Sequence, residues 1–184
     1  MSDTLKRNVY RIDQDDNIVS VEEAWDDFAA SNDAPELEGK NVIERNLWDF
    51  VSDELTRHIY KQMTAEVRKG RSLTFGFRCD SPDQVRFLEM RMTPFSEEGV
   101  QFETFTSYIE ERPPQEIFRR SSKVIDEVVI ACSWCKKIKT AENVWHEVEQ
   151  AIQILQLFDV DPAPQLSHGM CEDCYGKMIV KLKG

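Results

Sequence analysis

The sequence predicts an α+β protein in which a five-stranded antiparallel sheet carries its helices on one face and a small cysteine-rich module follows. Three observations predict this fold class. Five segments before residue 112 have strand-like character, a strongly amphipathic segment lies between the second and third of them, and two Cys-x-x-Cys pairs stand after residue 130. With 184 residues, 41% of them hydrophobic, the chain can form one principal core and a small satellite module.

The first elements are a β-hairpin and a short helix. Residues 9–13 and 18–21 carry apolar and polar residues in alternation, and Gln14-Asp-Asp-Asn17 between them has turn chemistry. Residues 22–30 place apolar side chains at helical spacing, namely Ala24, Trp25, Phe28 and Ala29. A hairpin followed by a helix is therefore expected before residue 31.

The clearest helix is predicted over residues 53–69. Ser52 is a candidate N-cap and Gly70 a candidate C-terminal signal. Apolar residues repeat every four positions between them, at Leu55, Ile59, Met63 and Val67. This helix should pack its apolar stripe on the sheet.

Three further strands are predicted at residues 72–79, 84–92 and 100–109. In the second of them one face carries Val85, Phe87, Glu89 and Arg91, and the other carries Arg86, Leu88, Met90 and Met92.

Two adjacent prolines, Pro113 and Pro114, end the predicted sheet domain, because proline fits neither a strand ladder nor a helix interior. We therefore expect a domain over residues 1–112, a helical connector over 113–127 and a cysteine module over 128–184. The apolar positions of the connector are Ile117, Phe118, Val124 and Ile125.

The cysteine module is the strongest chemical signal in the sequence. Cys132-Ser-Trp-Cys135 and Cys171-Glu-Asp-Cys174 are separated by 35 residues, and each pair can turn two sulfur atoms toward one point. Four thiolates complete the tetrahedral coordination of Zn²⁺ and leave no open coordination position, which is typical of a structural site. Nearby lysines could offset part of the negative charge of the cluster, namely Lys136, Lys137 and Lys177.

Several alternatives at the cysteines stay open from the sequence. The spacing does not separate zinc from mononuclear iron, and a dithiol switch or free thiols would show the same pattern. His168 stands three residues before Cys171 and could replace one sulfur ligand, or it could be a loop residue near the site. Cys79 lies in a predicted strand and is expected to be a small buried hydrophobic residue.

Residues 9–111 resemble a PAS domain. The resemblance lies in the opening hairpin, the short helix with Trp25 and Phe28, the long helix that ends at Gly70 and the three final strands. It also includes two local segments, Leu37-Glu-Gly-Lys40 and Leu47-Trp-Asp-Phe-Val51. The resemblance implies a sensory domain that holds a small molecule between sheet and helices or pairs with a second copy.

Residues 129–175 resemble a small cysteine-rich tail that follows PAS or receiver domains in bacterial signalling proteins. The matching segments are Cys132-Ser-Trp-Cys135-Lys-Lys-Ile138 and Ser167-His-Gly-Met-Cys171-Glu-Asp-Cys174, with Trp145 between them opening a helix. A helical face is expected there at Val144, Trp145, Val148, Ile152 and Leu155. Residues 157–165, with Pro162 and Pro164, form a longer segment than the tail usually has.

Within the PAS resemblance, two ligand hypotheses can be attached to named residues. Some PAS domains bind haem through a histidine on the long helix, and His58 lies near that position, although the apolar stripe runs through Ile59. The flavin-sensor pattern is absent, because no cysteine lies between residues 37 and 50. A cavity for haem or a small ligand, or else a solid core, would be lined by Trp48, Phe50, Ile59, Met63, Phe75, Phe77, Phe87, Met90, Phe102 and Phe105.

Composition narrows the function classes. A formal net charge of −11 disfavours a nucleic-acid-binding zinc ribbon, since nucleic-acid affinity depends on Lys and Arg at phosphates. The sequence lacks a phosphate-binding glycine loop, a Gly-x-Ser-x-Gly elbow and a His-Glu-x-x-His pair, so no enzymatic activity is expected. No signal peptide or membrane span is recognised, and a cytoplasmic location is expected.

Taken with the two resemblances, these observations predict a sensory or regulatory protein of signal transduction. It would act as a homodimer through contacts with a separate protein that carries the output function. Zinc would be its structural cofactor.

Overall fold

The computed structural model of the chain describes residues 7–22, 24–32, 34–118, 125–157 and 164–184. The chain divides into two compact units. The first combines Met1–Gly76 with Phe87–Tyr108, and the second combines Phe77–Arg86 with Ile109–Gly184. Whether separately folding domains begin and end at residues 113 and 128 stays a prediction.

The first sheet contains five strands in the order β2-β1-β5-β4-β3. Its strands are β1 (Arg7–Ile12), β2 (Ile18–Val21), β3 (Leu73–Arg78), β4 (Gln84–Phe95) and β5 (Gly99–Glu111). Strand β1 pairs antiparallel with both β2 and β5, so the first strand lies inside the sheet. The predicted α+β class with a five-stranded antiparallel sheet is confirmed.

Three helices lie in the chain between β2 and β3. They are α1 (Ala24–Ser31), α2 (Gly39–Val42) and α3 (Glu54–Arg68), with 3₁₀ turns at Pro35–Leu37 and Leu47–Phe50. Ring contacts join α1 and α3 to the strands: Trp25 meets Tyr10 at a centroid distance of 5.5 Å, and Tyr60 meets Phe75 at 5.9 Å. The helices therefore pack on the sheet through aromatic side chains.

Helix α3 follows its predicted pattern except at its cap and at Leu55, where the predicted burial is wrong. Ile59, Met63 and Val67 are at most 1% exposed, whereas Leu55 is 37% exposed. The predicted cap at Ser52 is wrong, because the carboxylate of Asp53 accepts the Thr56 N–H at 2.7 Å.

The second unit contains a four-stranded sheet in the order β8-β7-β6-β9. Its strands are β6 (Ile125–Cys132), β7 (Ile138–Ala141), β8 (Val144–His146) and β9 (Pro164–Gly169). Helix α4 (Val148–Ile154) precedes β9 in the chain, and helix α5 (Glu172–Lys183) follows it. A small core joins these elements, made by Ile117, Val129, Ala131, Ile138, Val148, Ala151 and Ile152.

Two sequence predictions in the second unit are wrong in part. Trp145 does not open a helix: it lies in β8 opposite Lys139, and the helix begins at Val148. The connector is not helical to its end, because a 3₁₀ turn at Glu116–Phe118 is followed by a strand that begins at Ile125. Val124 and most of the segment 157–165 lie outside the described residues. Among the described helices, none is both long and apolar enough to cross a bilayer.

Candidate metal centre

The two Cys-x-x-Cys pairs meet because β6 and β9 are parallel neighbours. Cys132 is the last residue of β6 and pairs with Gly169, the last residue of β9. Parallel strands that are in register end at the same edge of the sheet. Cys171, two residues beyond Gly169, is thereby carried to the sheet edge where Cys132 lies.

The first pair lies in a tight turn that returns the chain from β6 to β7. The Cys132 N–H donates to the Lys137 carbonyl at 2.7 Å, and the Lys136 N–H donates to the Cys132 carbonyl at 3.0 Å. Lys136 adopts a left-handed backbone conformation with φ of 61°. The Ser133 N–H donates to the Gly169 carbonyl at 2.7 Å, which ties the turn to β9.

The second pair begins helix α5. Cys171 is the N-cap residue, with φ −74° and ψ 156°, and Cys174 lies in the first turn. The Tyr175 N–H closes that turn on the Cys171 carbonyl at 2.9 Å. A helix N-terminus stabilises negative charge, so this position favours thiolates.

The four sulfur atoms form a compact group. The Sγ atom of Cys171 lies 3.7 Å from those of Cys132 and Cys135, and all four ligand atoms lie within 4.8 Å of one another. A disulfide requires about 2.05 Å, and all five cysteines are free. A tetrahedral ion with metal–sulfur bonds of about 2.3 Å places its ligands about 3.8 Å apart. The cluster can therefore hold a metal ion with little movement of its sulfur atoms.

The cluster is largely shielded from water. Cys132, Cys171 and Cys174 are at most 8% exposed, and only Cys135 is half-buried. Four ligands close a tetrahedral coordination sphere, so a metal bound here would have no open position for substrate or activated water.

The thiols influence one another strongly. Hydrogen bonds from the thiols of Cys135 and Cys174, and from the Cys171 N–H at 3.4 Å, hold the pKa of Cys132 well below its ordinary value. Hydrogen bonding with Cys132 raises the pKa of Cys135, and hydrogen bonding with Cys132 and Cys135 raises that of Cys174. One thiolate thus suppresses ionisation of its neighbours, and a bound dication removes that penalty.

The three lysines expected around the cluster differ in position. Lys136 donates through Nζ to the Ser133 carbonyl at 3.3 Å, and burial lowers its pKa while the nearby Cys79, Asp80 and Cys132 counteract that effect. Lys137 is half-buried, and Lys177 is exposed on α5. Among these lysines, Lys136 has the clearest interaction with the cluster.

The structure does not bring the other candidate residues into this site. His168 is an exposed residue of β9 opposite Ala131, and the group within 4.8 Å consists of the four cysteines. Cys79 follows β3 and is half-buried rather than fully buried; its N–H donates to the Arg86 carbonyl at 3.0 Å.

The histidine considered for haem lies on the exposed side of α3. His58 is exposed and contacts Gln62, one turn along the helix, at 2.9 Å. Among the residues considered for a ligand cavity, Phe75 and Phe102 are at most 2% exposed, but Phe87 is 39% exposed and does not line the core. The expected inward set is therefore wrong at Phe87, and His58 points away from the buried aromatic residues of that set.

Sequence reasoning missed a hydrogen bond to the first cysteine pair that comes from a residue before the predicted module. The Arg78 N–H donates to the Trp134 carbonyl at 2.7 Å, and Trp134 lies between Cys132 and Cys135. Arg78 ends β3, more than fifty residues earlier in the chain. The side chain of Arg78 donates to the Asp80 carboxylate at 2.5 Å, and the sequence gives no indication that this pair lies beside the cysteines.

Comparisons with protein-family models and with curated proteins give no match to this chain.

Proposed function

We propose that the chain is a non-enzymatic sensory or regulatory protein of signal transduction. A PAS-type domain over residues 1–112 would be joined to a four-cysteine module that binds a structural zinc ion. The protein would act in the cytoplasm, as a homodimer, through a separate partner that carries the output function.

The PAS part of the proposal rests on the connectivity of the first sheet. The first sheet has the strand order β2-β1-β5-β4-β3 with three helices inserted between β2 and β3, which agrees with the order of elements on which the PAS resemblance rests. The aromatic contact of Trp25 with Tyr10 packs the short helix on the first strand, in keeping with that resemblance. Fold analogy supplies a function class only, so stimulus and partner need separate evidence.

The zinc part of the proposal rests on the four sulfur atoms within 4.8 Å, which is the observation that carries most weight. Thiolate ligands suit soft or borderline ions, and a closed tetrahedral set favours Zn²⁺ over ions that prefer oxygen.

The structural role of zinc can be tested with cysteine variants. Cys135→Ser and Cys171→Ser should unfold residues 128–184 and leave the first unit folded, because metal-binding energy in such modules is largely folding energy. Circular dichroism and limited proteolysis measure this, with Cys79→Ser as the matched control outside the cluster. Wild-type melting and proteolysis in both cluster variants would contradict the structural role.

The regulatory role can be tested by cross-linking the tagged full chain in its native cells and identifying the captured proteins. A partner that contains an output domain, such as a kinase or a DNA-binding domain, should be recovered with wild type and with Cys79→Ser. Recovery should fall with Cys171→Ser, because the module is then unfolded. Binding of the purified pair must reproduce the difference, and an output activity in the purified chain alone would contradict the proposal.

A further inference from the structure

The turn between β3 and β4 is built into the same unit as the cysteine module. Residues 77–86 belong to the second unit with residues 109–184, although β3 and β4 both continue into the five-stranded sheet. The end of β3 contacts the first cysteine pair directly, since the Arg78 N–H donates to the Trp134 carbonyl at 2.7 Å. Trp134 is only 5% exposed, so this hydrogen bond is shielded from water.

A buried carboxylate lies beside this contact. The side chain of Asp80 is 0% exposed and accepts two hydrogen bonds from Arg78, at 3.2 Å from Nε and 2.5 Å from Nη2. Arg112 places Nη1 3.2 Å from the same carboxylate and is itself only 6% exposed. Two guanidinium groups therefore share one buried carboxylate. Removal of the carboxylate or of an arginine would leave a buried charge without its full compensation, which destabilises the fold.

The excess positive charge is balanced at the start of helix α4. Glu147, the N-cap residue, lies 3.0 Å from Arg78, and Glu149 in the first turn lies 3.6 Å from Arg112. Burial lowers the pKa of Arg78, but hydrogen bonds with Asp80 and Glu147 outweigh this and the pKa is raised. The charges thus join the hairpin turn to the helix whose Val148, Ala151 and Ile152 contribute to the core of the module.

Arg112 also fixes the turn itself. Its Nη2 donates to the Ser81 carbonyl at 2.9 Å, and its backbone N–H donates to the Asp83 carbonyl at 2.9 Å. Its guanidinium stacks at 4.9 Å over the ring of Phe118, which packs against the module core. The turn is consequently held by side-chain and backbone contacts at once.

We propose that Arg78, Asp80 and Arg112 form a charge clamp that makes the order of the β3–β4 turn depend on the metal state of the four-cysteine cluster. The inference rests on the proposed metal site. A metal ion fixes residues 132–135, these present the Trp134 carbonyl to Arg78, and Arg78 holds Asp80 and the turn. Metal loss would free the Trp134 carbonyl, weaken the clamp and loosen the ends of two strands of the first sheet. Metal occupancy is then a regulatory input.

Hydrogen exchange of the full chain, measured by mass spectrometry with zinc bound and after chelation, tests the clamp. Chelation should raise exchange in residues 128–184 and also in residues 77–86. The rise in 77–86 should be about tenfold or more, because loss of one buried hydrogen bond shifts the opening equilibrium by roughly that factor. Peptides from α3 should be unchanged.

Variants separate the clamp from general stability. Asp80→Asn should keep one zinc per chain, yet show fast exchange in residues 77–86 even when zinc is bound. Asp49→Asn, in an exposed pair with Arg45, is the matched control and should exchange like wild type. If Asp80→Asn fails to fold, Glu147→Gln, at a side chain 48% exposed, should give a smaller rise in the same peptides.

Two results would overturn the clamp and are distinguishable. If zinc binds and chelation loosens residues 128–184 while 77–86 keep their exchange rates, the clamp is wrong and the metal site stands. If the purified chain binds no zinc at all, both the clamp and the proposed zinc module are wrong.

Discussion

At the scale of single residues, the candidate metal centre depends on four side chains, and among the described residues no other possible ligand joins their group. Cys132 and Cys171 combine burial with backbone hydrogen bonds, since the Cys171 N–H donates to the Cys132 sulfur at 3.4 Å. His168 could have replaced a sulfur on spacing alone, but its place on β9 makes it an exposed neighbour of the site. The fold therefore groups Cys171, and not His168, with the other three sulfur atoms.

Substitution of His168 is expected to leave the metal in place. His168→Ala should retain zinc at the wild-type ratio, whereas Cys171→Ala should lose it, because only the cysteine belongs to the sulfur group. Elemental analysis of both purified variants measures the difference. Loss of zinc in His168→Ala with an intact fold would show that the histidine is a ligand.

The packing of Tyr60 in the first unit predicts an alkaline limit of stability. Burial raises the pKa of Tyr60, so the folded chain keeps this proton at pH values where an unfolded tyrosine loses it. The free energy of unfolding should therefore be unaffected by this group below about pH 10 and fall above it, by at most about 1.4 kcal/mol per pH unit.

Tyr60→Phe should flatten this decline in denaturant titrations between pH 9 and 11. Tyr108→Phe, at a side chain 57% exposed, is the control expected to leave the slope unchanged. Equal slopes in wild type and Tyr60→Phe would contradict the role of this burial.

At the scale of elements, hydrophobic periodicity predicted most of the first unit and little of the second. The stripe of α3 and the alternation of β4 recur over many residues, and the structure buries Leu88, Met90 and Met92, which belong to one of the two predicted faces of β4. Strand β8 has only three residues, Val144–His146, so the same side chains fitted a helical stripe equally well. Its strand state is set by pairing with β7, which is a tertiary effect.

The cap of α3 shows where local patterns stop discriminating. Ser52 and Asp53 are both good caps, and only the observed hydrogen bond from Thr56 separates them. We expect Asp53→Ala to lower the free energy of unfolding by about 1 kcal/mol and Ser52→Ala by less than about 0.5 kcal/mol. Urea titration measures both, and a larger loss at Ser52 would contradict the cap assignment.

At the scale of the whole molecule, the spacing pointed to the four cysteines that the fold brings together, but the strand pairing that brings them together was not predictable. Cys132 ends β6 and Cys171 follows β9, and the cluster forms because these two strands pair in parallel although they are distant in the sequence. Such long-range pairing leaves no local pattern in the amino-acid sequence. The proposed clamp likewise depends on contacts between residues that are distant in the sequence. Arg78 and Arg112 are 34 positions apart and meet on Asp80 only in the folded chain.

Metal removal should therefore destabilise the second unit more than the first. Chelation of the zinc-loaded chain should abolish a cooperative melting transition of the second unit and leave a transition of the first unit. Differential scanning calorimetry with and without a chelator measures this, and restored zinc should restore the lost transition. A thermogram that does not change on chelation would mean that the metal does not stabilise the module.

The most direct test is elemental analysis together with a visible absorption spectrum of the full chain, purified from cells without added metal. One zinc per chain and no visible band are expected, since four clustered thiolates would close a tetrahedral site around a colourless ion. Iron, a haem band, or a chain that binds no metal would contradict a structural zinc centre at Cys132, Cys135, Cys171 and Cys174.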